Sequence, residues 1–341
     1  MIGITTPLKV EVHAREKWLT MDWQRRHLAP LAIASPDFHP DTDVHIFYEW
    51  AVLDAALYQR APVDKRFGLL LESSANREVP ARSLSHIHRY RMILTHDPFL
   101  LACHPGYQFN PHGMSWVYRE GDLLKAPPKS EWMSMITSDL SELPGHRLRL
   151  SIARKLHQGG YPVQIFGRNI PWGPFIQDKR EGLAPYLFNI AVENCRKQNY
   201  FTEKLIDCFV TRTVPLYWGC PNIADFFNPA GMILFETEEE FWMRLGEVLA
   251  NGQALYQQMT PALAENLQIA AAKYNVKQAW GSAAETITRN IQAGYQHHRT
   301  TVGKRATLFC AQKAFLYQEH GLQRTVRSFV PDRFRESIAR Y

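Results

Sequence analysis

Short apolar runs that end in polar residues recur along the chain, with stretches of helical period between them. Leu8–Val12, Asp43–Tyr48 (DVHIFY), Phe67–Leu71 and Arg91–Thr95 (RMILT) each read as a strand. A short apolar run bounded by turn signals is what a buried strand of a parallel sheet leaves in a sequence. Ala81–Tyr90 reads as a helix among them. From Tyr118 to Ser130 (YREGDLLKAPPKS) the chain turns polar and proline-bearing, which marks the approach to a domain boundary. A second alternating set follows. Its strands are Glu131–Thr137, Val163–Phe166, Phe188–Val192, Val214–Trp218 and Met232–Phe235. Its helices are Gly145–His157, one N-capped by Thr202 with Leu205, Ile206, Phe209 and Val210 on one face, and Glu238–Ala250. Beyond Ala254 the pattern stays helical to about His297. Alternation of this kind predicts an α/β protein with parallel sheets. Two sets predict two domains, 1–128 and 129–310, followed by a helical tail, 311–341.

Composition narrows the class. A chain of 341 residues with 45% hydrophobic content is long enough for two such cores. It contains no apolar run of about eighteen residues and opens with no basic-then-apolar leader, so a cytoplasmic protein is expected. The five cysteines (Cys103, Cys195, Cys208, Cys220, Cys310) are odd in number and form no Cys-X-X-Cys, which fits reduced thiols. A net charge of +6 favours anionic partners such as nucleotide diphosphates, nucleic acid or a membrane surface, though such basicity also serves solubility alone. Glycine-rich dinucleotide loops and Walker loops are absent, which argues against dehydrogenases and P-loop NTPases. No metal ligand set is legible. His86 and His88 stand two apart, which points them to different faces of a helix. Asp41-Thr42-Asp43 is the one Asp-X-Asp and reads as a loop before a strand.

The chemistry concentrates between Tyr186 and Phe227. In open parallel sheets ligands sit beyond the carboxyl ends of the strands, and helix N-termini there attract phosphate. Glu193, Asn194, Tyr200, Glu203 and Lys204 all fall in such places. Lys204 stands at a helix start, against the positive end of the macrodipole. A bound anion resolves that conflict, and a diphosphate is the obvious one; the alternative is a solvated lysine on a first turn. Arg149, near the start of the helix Gly145–His157, offers a planar fork that matches phosphate oxygens, or is an ordinary surface arginine. The outline is that of a nucleotide-sugar site.

The stretch VENCRKQNYFTEKLIDCFVTRTVPLYWGCPNIADF resembles the signature of the family-10 glycosyltransferases, the α-1,3/1,4-fucosyltransferases. It has their Glu-Asn step, Tyr-X-Thr-Glu-Lys block, apolar helix, Val-Pro strand and Gly-X-Pro-Asn turn in order; outside it the resemblance is thin. The resemblance implies the GT-B architecture, two Rossmann-like domains facing across a cleft. The N-terminal domain would hold a glycan acceptor and the C-terminal one the donor. It implies inverting transfer of fucose from GDP-fucose to an acceptor hydroxyl. With no metal-ligand cluster near the donor motif, no cofactor is expected to be required and a divalent cation to be at most stimulatory. By the same resemblance Lys204 and Arg149 bind the donor diphosphate, Glu203 contacts its ribose or sugar, and Asn194 and Tyr200 surround the nucleotide. Glu193 either touches the donor or caps a turn, and Tyr186 fills the core. Glu72, at the end of FGLLLESS, matches the acidic step after an N-domain strand and is the expected general base, with Glu49 and Asp97 as alternatives.

Two other readings remain at this level: a GT-B enzyme with a different nucleotide sugar, and a non-catalytic carbohydrate- or nucleic-acid-binding protein. Nucleic-acid binders interleave aromatic and basic residues across a surface, whereas these polar residues sit at strand ends. In the tail, Phe329, Val330, Phe334 and Ile338 share a side, and Arg333, Arg335 and Arg340 lie mostly away from it. The tail therefore either packs on the N-terminal domain or lies as a basic amphipathic helix on an anionic membrane.

Overall fold

The computed structural model describes residues 9–14, 32–33, 38–39, 41–72, 78–111 and 113–293. The tail, with Cys310 and the residues from Phe329 to Arg340, lies outside the described residues, and so does Leu8. The chain divides into two compact units, one made of residues up to 112 and from Trp280 on, the other of Gly113–Ala279.

In the first unit β1 (Lys9–His13), β2 (Ala32–Ile33), β3 (Val44–Tyr48), β4 (Arg66–Leu70), β5 (Met92–Thr95) and β6 (Tyr107–Phe109) form one parallel sheet in the order β2-β1-β3-β4-β5-β6. Strands β3, β4 and β5 are buried along their whole length, the condition that makes parallel strands read as continuous apolar runs. The helices are short: α1 (Ala55–Tyr58), α2 (Glu78–Ser83) and α3 (Pro98–Cys103). The helix expected over Ala81–Tyr90 is not formed. Helix α2 ends at Ser83, and only a single 3-10 turn, Ile87–Arg89, follows. Ser83 Oγ donates to Pro80 O and Ser85 Oγ to Arg82 O, so serine hydroxyls compete for the carbonyls that a continuing helix would use.

The second unit is a parallel sheet of β7 (Glu131–Ser138), β8 (Gln164–Arg168), β9 (Tyr186–Val192), β10 (Val214–Trp218) and β11 (Ile233–Leu234), ordered β11-β10-β9-β7-β8. Its helices are α4 (Pro144–Gln158), α5 (Glu203–Val210), α6 (Glu238–Lys273) and the start of α7 (Val276–Gln292). Helix α6 breaks its geometry at Asn251 (φ −134°, ψ 18°), where the sequence pattern also pauses. The polar segment 118–130 packs within this unit. Arg180, in the 3-10 turn Lys179–Gly182, forks onto Asp122 at 2.6 and 3.0 Å, and just ahead of the segment Ser115 Oγ donates to Asp207 of α5 at 2.7 Å. No described helix is long and apolar enough to cross a membrane.

Candidate functional site

Strand order in the second unit reverses between β7 and β9: β7 leads out to β8 on one side, and β9, β10 and β11 run out on the other. The carboxyl ends at such a reversal leave a crevice in which ligands bind. A cavity of about 600 Å³ opens there, within the range of about 300–1,000 Å³ typical of small-molecule sites. Its wall includes Ser138, Asp139 and Leu140 after β7, Arg168 and Asn169 at the end of β8, and Val192 and Asn194 at the end of β9. His146 and Arg149 of α4 and Glu203 and Lys204 of α5 also line it.

Gly145 sets the position of α4. Its N–H donates to Asn194 O at 3.0 Å, and a Cβ at this residue would stand 1.8 Å from Glu193 O. Only glycine lets the first turn of the helix press on the end of β9. One turn later, Arg149 is 4% exposed, and its Nη1 donates to Val192 O at 3.2 Å. Its buried Nε has no hydrogen-bond partner. Burial draws its pKa down, while the charges of Glu193 and Glu203 oppose that. An orphaned guanidinium N–H in a cavity wall is a costly feature unless an acceptor arrives. His146, three residues before Arg149, is also buried; burial and the Arg149 charge lower its pKa, while Asn194 and Glu142 oppose that.

Helix α5 starts at Thr202, whose Oγ1 accepts the Lys204 N–H at 3.3 Å. Thr202 in turn donates through N to Glu193 Oε1 at 2.8 Å and through Oγ1 to Glu193 Oε2 at 2.7 Å. Glu193 is 0% exposed, burial raises its pKa, and it lies outside the cavity wall. Its carboxylate joins the end of β9 to the start of α5 through these two bonds. Lys204 Nζ sits 3.7 Å from Glu193 Oε2 and 3.3 Å from Glu203 Oε1, with its side chain about one-fifth exposed. Lys179 forms part of the same wall, 2.8 Å from Asp207 and 3.6 Å from Glu203. Burial lowers its pKa, but Asp207 and Glu203 carry it above the ordinary lysine value, to about 12. The charged wall is Arg149, Arg168, Lys179 and Lys204 against Asp139 and Glu203, four positive and two negative, a net of +2. That excess suits a diphosphate diester of about two negative charges.

The cavity thus gathers Arg149, Asn194, Glu203 and Lys204 of the residues expected from sequence. Tyr200 is 1% exposed and does not belong to the wall. Tyr186 is core, edge-on to Phe166 with ring centroids 6.0 Å apart. Sequence reasoning missed His146, Lys179 and Arg168, which reach the wall from segments where no pattern marked them. In the first unit, Glu72 follows β4 and is exposed; it accepts from Tyr48 Oη at 3.2 Å. Its own N–H and that of Leu71 donate to Glu49 Oε1 at 2.8 and 2.5 Å. Glu49 is buried with φ 46°, a conformation a glutamate adopts only under constraint, and its carboxylate holds the Glu72 backbone. Asp97 is spent on capping α3, accepting from the N–H groups of Phe99 and Leu100. Of the three carboxylates, Glu49 and Asp97 are buried, whereas Glu72 is exposed at the end of β4.

Comparison with known proteins bears on the same unit. Residues 127–275 match the model of the C-terminal domain of glycosyltransferase family 10 (fucosyltransferase). An α-(1,3)-fucosyltransferase of Helicobacter pylori is 41% identical over 58 residues, 17% of this chain and 12% of that protein. A putative fucosyltransferase-like protein of Arabidopsis thaliana is 34% identical over 148 residues, 42% of this chain and 28% of that protein. The chain therefore aligns with well under half the length of these curated relatives. A crystal structure of an α1,3-fucosyltransferase with GDP superposes with a TM-score of 0.56 at 20% identity, over 88% of this chain and 95% of that one. At that identity the likeness establishes the fold, which is GT-B, as the sequence resemblance implied.

Proposed function

We propose that this chain, which carries the family-10 glycosyltransferase domain, is an inverting α-1,3-fucosyltransferase that transfers fucose from GDP-fucose to a hydroxyl of a glycan acceptor. The observation that carries the reading is Arg149: a buried guanidinium with an orphaned N–H, in the wall of a net-positive cavity at a strand-order reversal. A diphosphate supplies the missing acceptor oxygens, and fixed cations there stabilise the charge that develops as the nucleotide leaves. Lys204 adds the second cation, and Glu203, 3.3 Å from it, holds that ammonium and meets the ribose or sugar of the donor. Glu72 takes the proton of the acceptor hydroxyl as its oxygen attacks the anomeric carbon from the face opposite the leaving group.

Titration calorimetry with GDP, UDP and CDP, alongside GDP release with and without a glycan acceptor, tests this. GDP binding is expected, and Lys204→Ala and Arg149→Ala should each weaken it by about 1.5–3 kcal/mol, the scale of a hydrogen bond to a charged group. Glu72→Gln should keep the affinity and lower turnover by about 10²–10⁴. Preference for UDP or CDP would replace the donor assignment, and nucleotide binding without turnover on any glycan would make the protein a binding module. With the cavity's own cations serving the diphosphate, turnover should need no added magnesium or manganese; a strict dependence of turnover on either ion would count against the scheme.

A further inference from the structure

The sheet of the first unit brings three metal-ligating side chains to one point. Glu11 and His13 stand two apart on β1 and so share a face, and the register Glu11↔His45 sets His45 of β3 beside them. Glu11 is 0% exposed, His13 5% and His45 3%. Glu11 Oε2 lies 3.6 Å from His13 Nε2 and 3.1 Å from His45 Nδ1, and the two ring nitrogens are 3.2 Å apart. In a tetrahedral zinc site with bonds of about 2.0–2.1 Å, ligand atoms stand about 3.3–3.4 Å apart, because a tetrahedron's edge is about 1.63 times its centre-to-corner distance. The observed triangle is close to one face of such a tetrahedron. The carboxylate is divided in the same sense. Its Oε1 accepts from His39 N and Thr42 Oγ1, both at 2.9 Å, whereas the buried Oε2 has no hydrogen-bond partner. A buried carboxylate oxygen that receives no donor is costly, and a cation at the centre of the triangle relieves that cost.

We propose that Glu11, His13 and His45 bind a zinc ion, with water in the fourth tetrahedral position. Two imidazoles and one carboxylate form a borderline-soft donor set that suits zinc. The Phe38 ring stacks on His13 with centroids 4.2 Å apart and lies 5.2 Å from the His45 ring, which screens the ion from solvent. With ligands from two neighbouring strands, the ion clamps β1 to β3 and exchanges slowly. This site stands on residues of the first unit alone and is independent of the transferase reading.

The full chain, made without a histidine tag in zinc-supplemented medium and dialysed free of loose metal, should retain about one zinc per chain by mass spectrometry. Glu11→Gln and His45→Gln should each lower zinc affinity by at least about 10–100-fold, the loss that even outer-shell partners produce. Cobalt added to chelator-stripped wild type should give the visible d–d absorption of a tetrahedral ion, and the His45→Gln chain should not. If those variants fail to fold, stripped wild type decides: its melting temperature should rise on adding zinc and fall again with chelator. Substoichiometric zinc with no cobalt spectrum and no zinc-dependent melting shift overturns the proposal and leaves a proton shared among the three groups. Retention of zinc by Glu11→Gln and His45→Gln equal to wild type places the metal elsewhere and overturns it as well.

Discussion

At the scale of single residues, the site depends on atoms that are absent as much as on those present. Gly145 has no Cβ, and that lets α4 approach the end of β9 closely enough for Arg149 to reach Val192 O. An alanine there would place its Cβ 1.8 Å from Glu193 O, a backbone atom that no rotamer change can move. Gly145→Ala should destabilise the protein by about 2 kcal/mol or more, the upper range of overpacking penalties. Because the shift displaces Arg149, GDP affinity should also fall by at least about tenfold. Urea unfolding and calorimetry on one preparation check both, and wild-type stability in the Gly145→Ala variant would show that the contact is not as close as described. The polar groups of the region follow the same logic. Glu193 looked from sequence as apt for a ligand as for a cap; it is buried, and both its oxygens accept from Thr202.

At the scale of elements, α5 shows what the sequence could and could not tell. The Thr202 cap, the apolar face from Leu205 to Val210 and the start at Glu203 were all legible, because capping and helical period are local properties. The strands of both sheets were legible for the same reason, apart from β2 and β6. What stayed hidden is pairing between distant segments. Lys179 meets Asp207 across 28 residues and His45 meets Glu11 across 34, and no periodicity encodes such meetings. Lys204, Glu203, Arg149 and Asn194 could be picked out as candidates because three of them lie in one contiguous block and the fourth stands in the second turn of the helix before it. The cap itself can be weighed. Thr202→Val keeps the shape but removes the hydroxyl that serves both the Lys204 N–H and Glu193 Oε2. Loss of the cap costs about 1 kcal/mol and the buried carboxylate left short of a donor about 1–3 more. Thr202→Ser should retain most of this, so equal urea midpoints for the Val and Ser variants would refute the cap's role.

At the scale of the whole molecule, stability should carry a pH dependence that can be traced to one lysine. Lys129 Nζ stands 2.8–2.9 Å from four acceptors, Ala184 O, Tyr186 O, Thr211 O and Thr213 Oγ1, which share its N–H groups and tie the segment before β7 to the entry of β9 and the turn before β10. Burial pulls its pKa down to about 7. The unfolded lysine keeps its proton to about pH 10.4. Between about pH 7 and 10 the unfolded chain therefore binds a proton here that the folded chain has released, so this group makes stability rise with pH, by up to about 1.4 kcal/mol per unit. The thiols act in the opposite sense. Cys103, Cys208 and Cys220 are each pushed up to about 12 by burial, so above about pH 8.5 the unfolded thiols ionise while the folded ones stay protonated, and stability falls. The sum is a shallow maximum near pH 8, which by itself identifies no residue. Comparison with Lys129→Met isolates the lysine, since the cysteines contribute equally to both chains. Urea unfolding from pH 7 to 9.5 should show the stability of the wild type gaining on that of Lys129→Met by about 1 kcal/mol or more per pH unit. Parallel curves would mean that the four oxygens around the ammonium hold its charge against burial and that the pH dependence arises elsewhere.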